Sequence, residues 1–190
     1  MPNSDDLFSP LVQRFEGKIT VLPVFRGETT WAVDRSVVFE VLQALRTAGF
    51  DYLVDISSVD NSESSPRFEV VYELFSYSSL KHLRVKCAIE EDGDIPSVTP
   101  IWRTANWHER EVWDMMGIRF AGHPDLRRIL MWEGYPYHPL RKEFPLEGKP
   151  TEMPDIAFTR PAPLEGGPFV TAPAGNSQDR EPQARPPALN

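Results

Sequence analysis

"RFEVVYELFSYSSLKHLRVKCAI", residues 67–89, alternates twice around a short polar turn. In the first half Phe68, Val70, Tyr72 and Leu74 fall on one side, and Glu69, Val71, Glu73 and Phe75 on the other. In the second half Leu83, Val85, Cys87 and Ile89 alternate with His82, Arg84 and Lys86. A period of two in β-branched and aromatic residues means strand, and two such runs about a polar "SYSS" mean a hairpin. The solvated side of one strand is acidic and that of the other basic, so charges can pair across the ladder. Cys87 lies on the apolar side and reads as core; His82 lies on the polar side.

Upstream, "DYLVDISSVD" (51–60) reads as a third strand and "NSESSP" (61–66) as a loop. Before it, "DRSVVFEVLQALRTAGF" predicts a helix from about Arg35 to Ala48. Asp34 serves as N-cap, Gly49 follows the C-terminus, and Val37, Val38, Val41, Leu42, Leu45 and Ala48 share one face. "KITVLPVF" (18–25) and "ETTWAV" (28–33) predict two strands joined at Arg26-Gly27; Pro23 cannot donate to a ladder, which makes the first an edge strand. A short N-terminal helix is expected over 5–16. Downstream, 90–97 reads as a loop, and "NWHEREVWDMMG" (106–117) as a helix ending at Gly117. Strands, helix, three strands, helix: the order predicts an α+β fold, a mixed β-sheet packed with helices as a layer sandwich.

The chain has 190 residues with a formal net charge of −8. Residues 1–100 hold 16 acidic and 9 basic side chains, whereas 101–150 hold 7 and 8. An acidic body argues against nucleic acid and anionic lipid as partners. One cysteine, Cys87, allows no internal disulfide and cannot hold an Fe–S cluster or thiolate zinc site. The longest unbroken apolar run, Ile129–Trp132, is far short of the roughly 20 residues that span a bilayer, and no signal segment opens the chain. These features predict a soluble, cytoplasmic chain. Nine of the 19 prolines lie in the last 43 residues, among sparse apolar side chains. Such a composition cannot bury a core of its own. The expected organisation is a globular α+β domain over 1–147 and an extended or disordered proline-rich C-terminal arm over 148–190.

The carboxylates of 106–117 are the first candidates for chemistry. Arg110 and Asp114 are spaced to pair along one helical face. Glu109 and Glu111 point about 160° apart on a helix and cannot share a metal unaided. His-Glu-x-x-His fails because Val112 stands at the second His position. The plain reading is an amphipathic helix with a salt-bridged exposed face and a buried side of Val112, Met115 and Met116, joined by Trp107 or Trp113. His123-Pro124-Asp125 and His138-Pro139 read as turn chemistry or as the start of a short helix. Two His with Asp125 and Glu109 remain conceivable metal ligands for a free-standing hydrolase. "DLRRILMW" and "HPLRKEFP" set Arg127, Arg128, Arg141 and Lys142 beside Trp132, Tyr135, Tyr137 and Phe144, a composition that suits a protein interface. No glycine-rich phosphate loop follows a strand.

Taken as one stretch, "ANWHEREVWDMMGIRFAGHPDLRRILMWEGYPYHPLRKEFPL" closely resembles the signature region of the 30-kDa subunit family (the C-subunit) of proton-pumping NADH:quinone oxidoreductase, respiratory complex I. The compact pattern is met by Glu109, Arg110, Glu111, Asp114, Met115, Met116, His123, Arg127, Ile129 and Leu130. Gly117, Pro124, Asp125, Arg128, His138, Pro139, Leu140, Arg141 and Lys142 complete the matching signature and interface set. The resemblance covers about residues 105–147. The loop before Glu133-Gly134 departs from relatives that carry Pro-Asp-Asp-Trp there, which bears on the local turn. The resemblance implies a mixed sheet with helices, no catalytic, cofactor or metal ligand of its own, and FMN and Fe–S clusters in partner subunits. It implies a place in the peripheral arm at the cytoplasmic face of the cell inner membrane. The expected partners are the quinone-site large subunit and the Fe–S subunits, over which the C-terminal arm would run. Similar subunits occur in membrane-bound [NiFe] hydrogenases and in dehydrogenases fed by other donors.

Overall fold

The computed structural model describes residues 4–145, with side chains from Phe8 onward. The arm expected over 148–190 lies outside the described residues. Helix α1 (Ser4–Arg14) leads into β1 (Ile19–Val21) and β2 (Thr29–Val33), an antiparallel pair. Their turn puts Arg26 and Gly27 at φ 52° and 81°, the double left-handed geometry that matches strand twist. β1 stops at Val21, two residues before Pro23, and lies at the sheet edge as expected.

Asp34 caps the next turn by accepting the Ser36 N–H at 2.8 Å. One 3₁₀ turn (Arg35–Val37) then runs into α2 (Val38–Thr47), which buries Val38, Val41, Leu42 and Leu45. Strands β3 (Tyr52–Asp60), β4 (Phe68–Ser76) and β5 (Lys81–Ile89) follow. The sheet order is β1-β2-β5-β4-β3, with β2 parallel to β5 and the other pairs antiparallel. Because β2 and β3 therefore run the same way, α2 must cross over the two strands between them. That crossover brings its apolar stripe into one core with Trp31, Leu83, Val85, Tyr72 and Leu74, all 0% exposed.

The hairpin behaves as its alternation predicts. Glu73 pairs in register with Arg84 and bonds it, Lys86 reaches Glu69 at 2.7 Å, and His82 reaches Glu73 at 2.7 Å. Cys87 is fully buried, and burial pushes its thiol up to about 12.

One expectation is corrected. Residues 90–97 are not all loop: β6 (Asp94–Pro96) pairs in parallel with β7 (Arg119–Ala121). Three residues are too few to display a period, and β6's partner lies beyond an intervening helix. That helix is α3 (Ala105–Met116), closed by Gly117 at φ 80°. It lies against β3, where His108 Nδ1 meets Asp55 at 3.1 Å. Its Ala105, Val112 and Met116 join Ile95, Ile118 and Phe120 in the same core as the large sheet. No helix among the described residues is long and apolar enough to cross a membrane.

Leu74 on β4 and Leu83 on β5 face each other across the centre of the sheet, both 0% exposed. Leu74→Ala should destabilise the chain by about 2–5 kcal/mol. Chemical denaturation would read this as a lower midpoint with unchanged slope; a changed slope would mean the unfolding itself had altered.

Candidate functional site

The expectation of a salt-bridged exposed face on α3 is overturned. Glu109 and Asp114 are 0% exposed and Arg110 only 6%. Arg110 does not pair with Asp114. Its Nε donates to the Arg127 carbonyl at 3.1 Å and its Nη2 to that of Arg128 at 3.2 Å. Glu111 is the acid that faces solvent. The apolar side comprises Val112, Met115 and Met116, with Trp113 partly buried and Trp107 63% exposed.

Asp114 is the centre of the site. Its Oδ2 accepts three successive backbone N–H groups, from Ile129 (3.0 Å), Leu130 (2.8 Å) and Met131 (2.9 Å). Its Oδ1 takes the Arg128 guanidinium, whose Nη2 also donates to the Tyr135 and Tyr137 carbonyls. Burial alone would raise this carboxyl; the three N–H donors and Arg128 outweigh it and hold Asp114 below the ordinary range. Arg128 also lies 5.6 Å from the Trp113 ring and 5.7 Å from Tyr135, a cation between aromatic faces.

The end of α3 is closed by the same loop. A helix leaves its last four carbonyls without helical donors. Here Trp113 O accepts the Gly117 N–H, and Asp114 O accepts His138 Nδ1–H (3.0 Å) and Arg128 (3.2 Å). Met115 O accepts the Leu140 N–H (3.0 Å), and Met116 O accepts Arg141 Nε–H (2.7 Å). Two guanidiniums at the negative end of the helix dipole add to the fit. Gly117 is required twice, by its positive φ and because a Cβ would come within 2.7 Å of both Arg141 Nη2 and the His138 ring. Pro139 and Leu140 separate these two residues in the chain. Burial lowers His138, in keeping with a neutral ring that donates to a carbonyl.

Asp60 and Arg67 form a second clamp. Asp60 accepts the Ser62 N–H, both Arg67 donors at 2.9 and 2.8 Å, and the Lys142 N–H at 2.9 Å. Arg67 reaches on to Glu91 and Glu143, and Arg141 joins Glu91 at 3.1 Å. Sequence reasoning missed this clamp: Asp60 and Lys142 are 82 residues apart, and nothing local marks either.

Glu109 is handled differently. Its Oε1 accepts the Val98 N–H at 2.6 Å and its Oε2 the Ser97 hydroxyl at 2.7 Å, with no cation against it. Burial pushes its carboxyl up to about 7. The His123 ring is 3.9 Å away, and this side chain is also fully buried. His123 Nδ1 accepts the Asp125 N–H at 3.0 Å, so Nε2 carries the hydrogen and donates to Asn106 O at 3.2 Å. Burial lowers His123, which favours the neutral ring. His123-Pro124-Asp125 is thus a turn and starts no helix.

Of the four conceivable metal ligands, Glu109 and His123 meet. His138 is spent on the Asp114 carbonyl, and the Asp125 carboxylate pairs with Arg127 at 2.9 Å. Among the described residues no three His, Cys, Asp or Glu side chains stand close enough to hold a metal ion. The aromatic loop is a chain of ring contacts, from Trp132 to Tyr135 (4.5 Å), Tyr137 (5.6 Å) and Phe144 (6.2 Å).

The family described as respiratory-chain NADH dehydrogenase, 30-kDa subunit, matches residues 31–150, a span that holds both clamps. This chain belongs to that family. The second NADH-quinone oxidoreductase C-subunit of Rhizobium etli is 45% identical over 170 residues, covering 82% of this chain and 90% of that protein. The NADH-quinone oxidoreductase C-subunit of Geobacter metallireducens is 42% identical over 141 residues, covering 73% and 87%. The solved trypsin-resistant fragment of Nqo5 is 31% identical with a TM-score of 0.57, covering 63% of this chain and 99% of the fragment. A chain of the archaeal membrane-bound sulfane sulfur reductase shares the fold at a TM-score of 0.65 and 20% identity, covering 75% of this chain and 85% of that one. Within the matched span, Glu109, Arg110, Asp114, Arg128, His138 and Arg141 are internal ties of this chain.

Two outcomes follow for the carboxylates. Asp114→Asn leaves Arg128 buried without its charge partner and should destabilise the chain by about 3–5 kcal/mol. Glu109→Gln should act on pH dependence instead. The folded pKa of Glu109, about 7, lies above its ordinary 4.5. Its contribution is therefore fully present below about 4.5 and lost as pH rises to about 7. The melting temperature should fall less steeply with pH across that window in Glu109→Gln than in wild type; an unchanged pH dependence would mean that Glu109 is charged when buried.

Proposed function

We propose that this chain is a non-redox scaffold subunit in the peripheral arm of NADH:quinone oxidoreductase, at the cytoplasmic face of the cell inner membrane. In this reading the FMN and Fe–S clusters that carry electrons from NADH to quinone sit in partner subunits, and the coupled proton translocation occurs elsewhere in the complex. The chain packs against the quinone-site large subunit. The observation that carries the reading is that Arg110, Asp114, Arg128, His138 and Arg141 all end on groups of this same chain. Groups so engaged fix a surface; they are not poised at a reacting atom. That surface leaves Leu130 60% and Leu140 58% exposed beside the exposed bases Arg127 and Lys142. Exposed apolar side chains held on a rigid polar frame suit a protein contact.

Arg128 is no probe of that contact, because reversing it would place two carboxylates together in the interior. Arg127 and Lys142 are. Arg127→Glu with Lys142→Glu should lower the amount of assembled complex several-fold, while NADH:quinone turnover per bound flavin stays near wild type. Normal assembly with turnover lost would place these residues in the catalytic pathway and end the scaffold reading.

A further inference from the structure

At the start of α3 a groove of about 520 Å³ runs between Pro100, Arg103, Asn106, Trp107 and Pro124. None of its exposed side chains belongs to the two clamps. We infer that this groove docks a segment of a neighbouring subunit that presents a carboxylate beside an apolar side chain. The inference rests on the scaffold reading for the identity of the complex, and adds to it a second contact with its own chemistry.

Three features point to that occupant. First, Trp107 is 63% exposed yet held in place. The Arg110 guanidinium lies 5.1 Å from its ring and is itself fixed on the Arg127 and Arg128 carbonyls. A large, pre-set aromatic loses little entropy on binding, and Trp is among the residues that dominate interface energy. Second, the walls are braced. The Asn106 carbonyl is tied to His123, and the turn carrying Pro124 is closed by the Asp125 N–H on the same ring. Third, the groove is positive on an acidic protein. Arg103 is exposed and has no acidic partner among the described residues, and the first turn of α3 carries no acid. The chain as a whole is at −8. A carboxylate on the occupant complements Arg103, whose planar fork suits bidentate contact. A nucleic acid strand would be repelled by the surrounding charge, and one Arg with two prolines is not a phosphate track.

The test uses the assembled complex. With Asn106→p-benzoylphenylalanine, irradiation should join this chain to a segment of another subunit that contains Asp or Glu. Arg103→Glu should lower the assembled amount several-fold, and reversing the cross-linked acid to Lys should restore it. Misfolding is controlled by sign: an acid near a helix N-terminus favours the helix, so the melting temperature of the free Arg103→Glu chain should hold or rise. Cross-links confined to this chain, cross-links to a segment without acids, no cross-link at all, or wild-type assembly of Arg103→Glu would each overturn the inference while leaving the scaffold reading intact. Absence of the chain from any flavin-containing complex would overturn both.

Discussion

The bond set on the Asp114 carboxylate fixes the path of the loop that follows α3. A buried, ionised carboxylate is tolerated only when donors surround it, and here three consecutive backbone N–H groups and one guanidinium do so. Those donors come from 128–131, so the helix cannot hold its charge unless the loop takes one path. The same guanidinium then gathers the carbonyls of Tyr135 and Tyr137, and His138, Leu140 and Arg141 return to close the helix end. A segment with neither helix nor ladder is made rigid by satisfying the groups a helix leaves open.

Two carboxylates on one helix show how surroundings decide charge. Asp114 and Glu109 are both 0% exposed, yet the first is held below its ordinary range and the second is pushed up to about 7. The difference lies in donor count and in the presence of a cation. Asp114 has three N–H groups and Arg128; Glu109 has one N–H and one hydroxyl, and faces a His123 ring whose own burial favours the neutral form. Asp60 repeats the Asp114 solution with Arg67 and the Lys142 N–H. Together the two aspartates hold the aromatic loop at 128–131 and at Lys142, and Leu130 and Leu140 stay exposed on that frame. A frame of this kind is what a member of an assembly needs from its surface, since contacts on pre-set groups lose less entropy on docking.

The elements were legible where their own residues carried the signal. The hairpin 67–89, the capped α2 with its stripe from Val38 to Leu45, the edge position of β1 and the glycine stop of α3 all follow from local spacing, caps and turn residues. The likeness to the 30-kDa family of complex I was also legible, because it lies in one continuous stretch. β6 and β7 were not: each has three residues, and each needs the other. Nor were the positions of Glu109, Arg110 and Asp114. By helical spacing alone a charged residue is assigned to water, and only donors and acceptors arriving from 97–98 and 127–131 make its burial tolerable.

The α+β class, the core faces of the longer elements and the family were all written in the order of residues along the chain. Which partners Arg110 and Asp114 take was decided only by the closed fold. The spacing of Arg110 and Asp114 permitted a pair along the helix, whereas in the fold each takes partners from the same downstream loop, Arg110 at 127–128 and Asp114 at 128–131. The difference is one of range. Periodicity and capping act over a few residues and can be read locally; hydrogen-bond satisfaction of a buried charge acts across tens of residues and exists only once the chain has closed on itself.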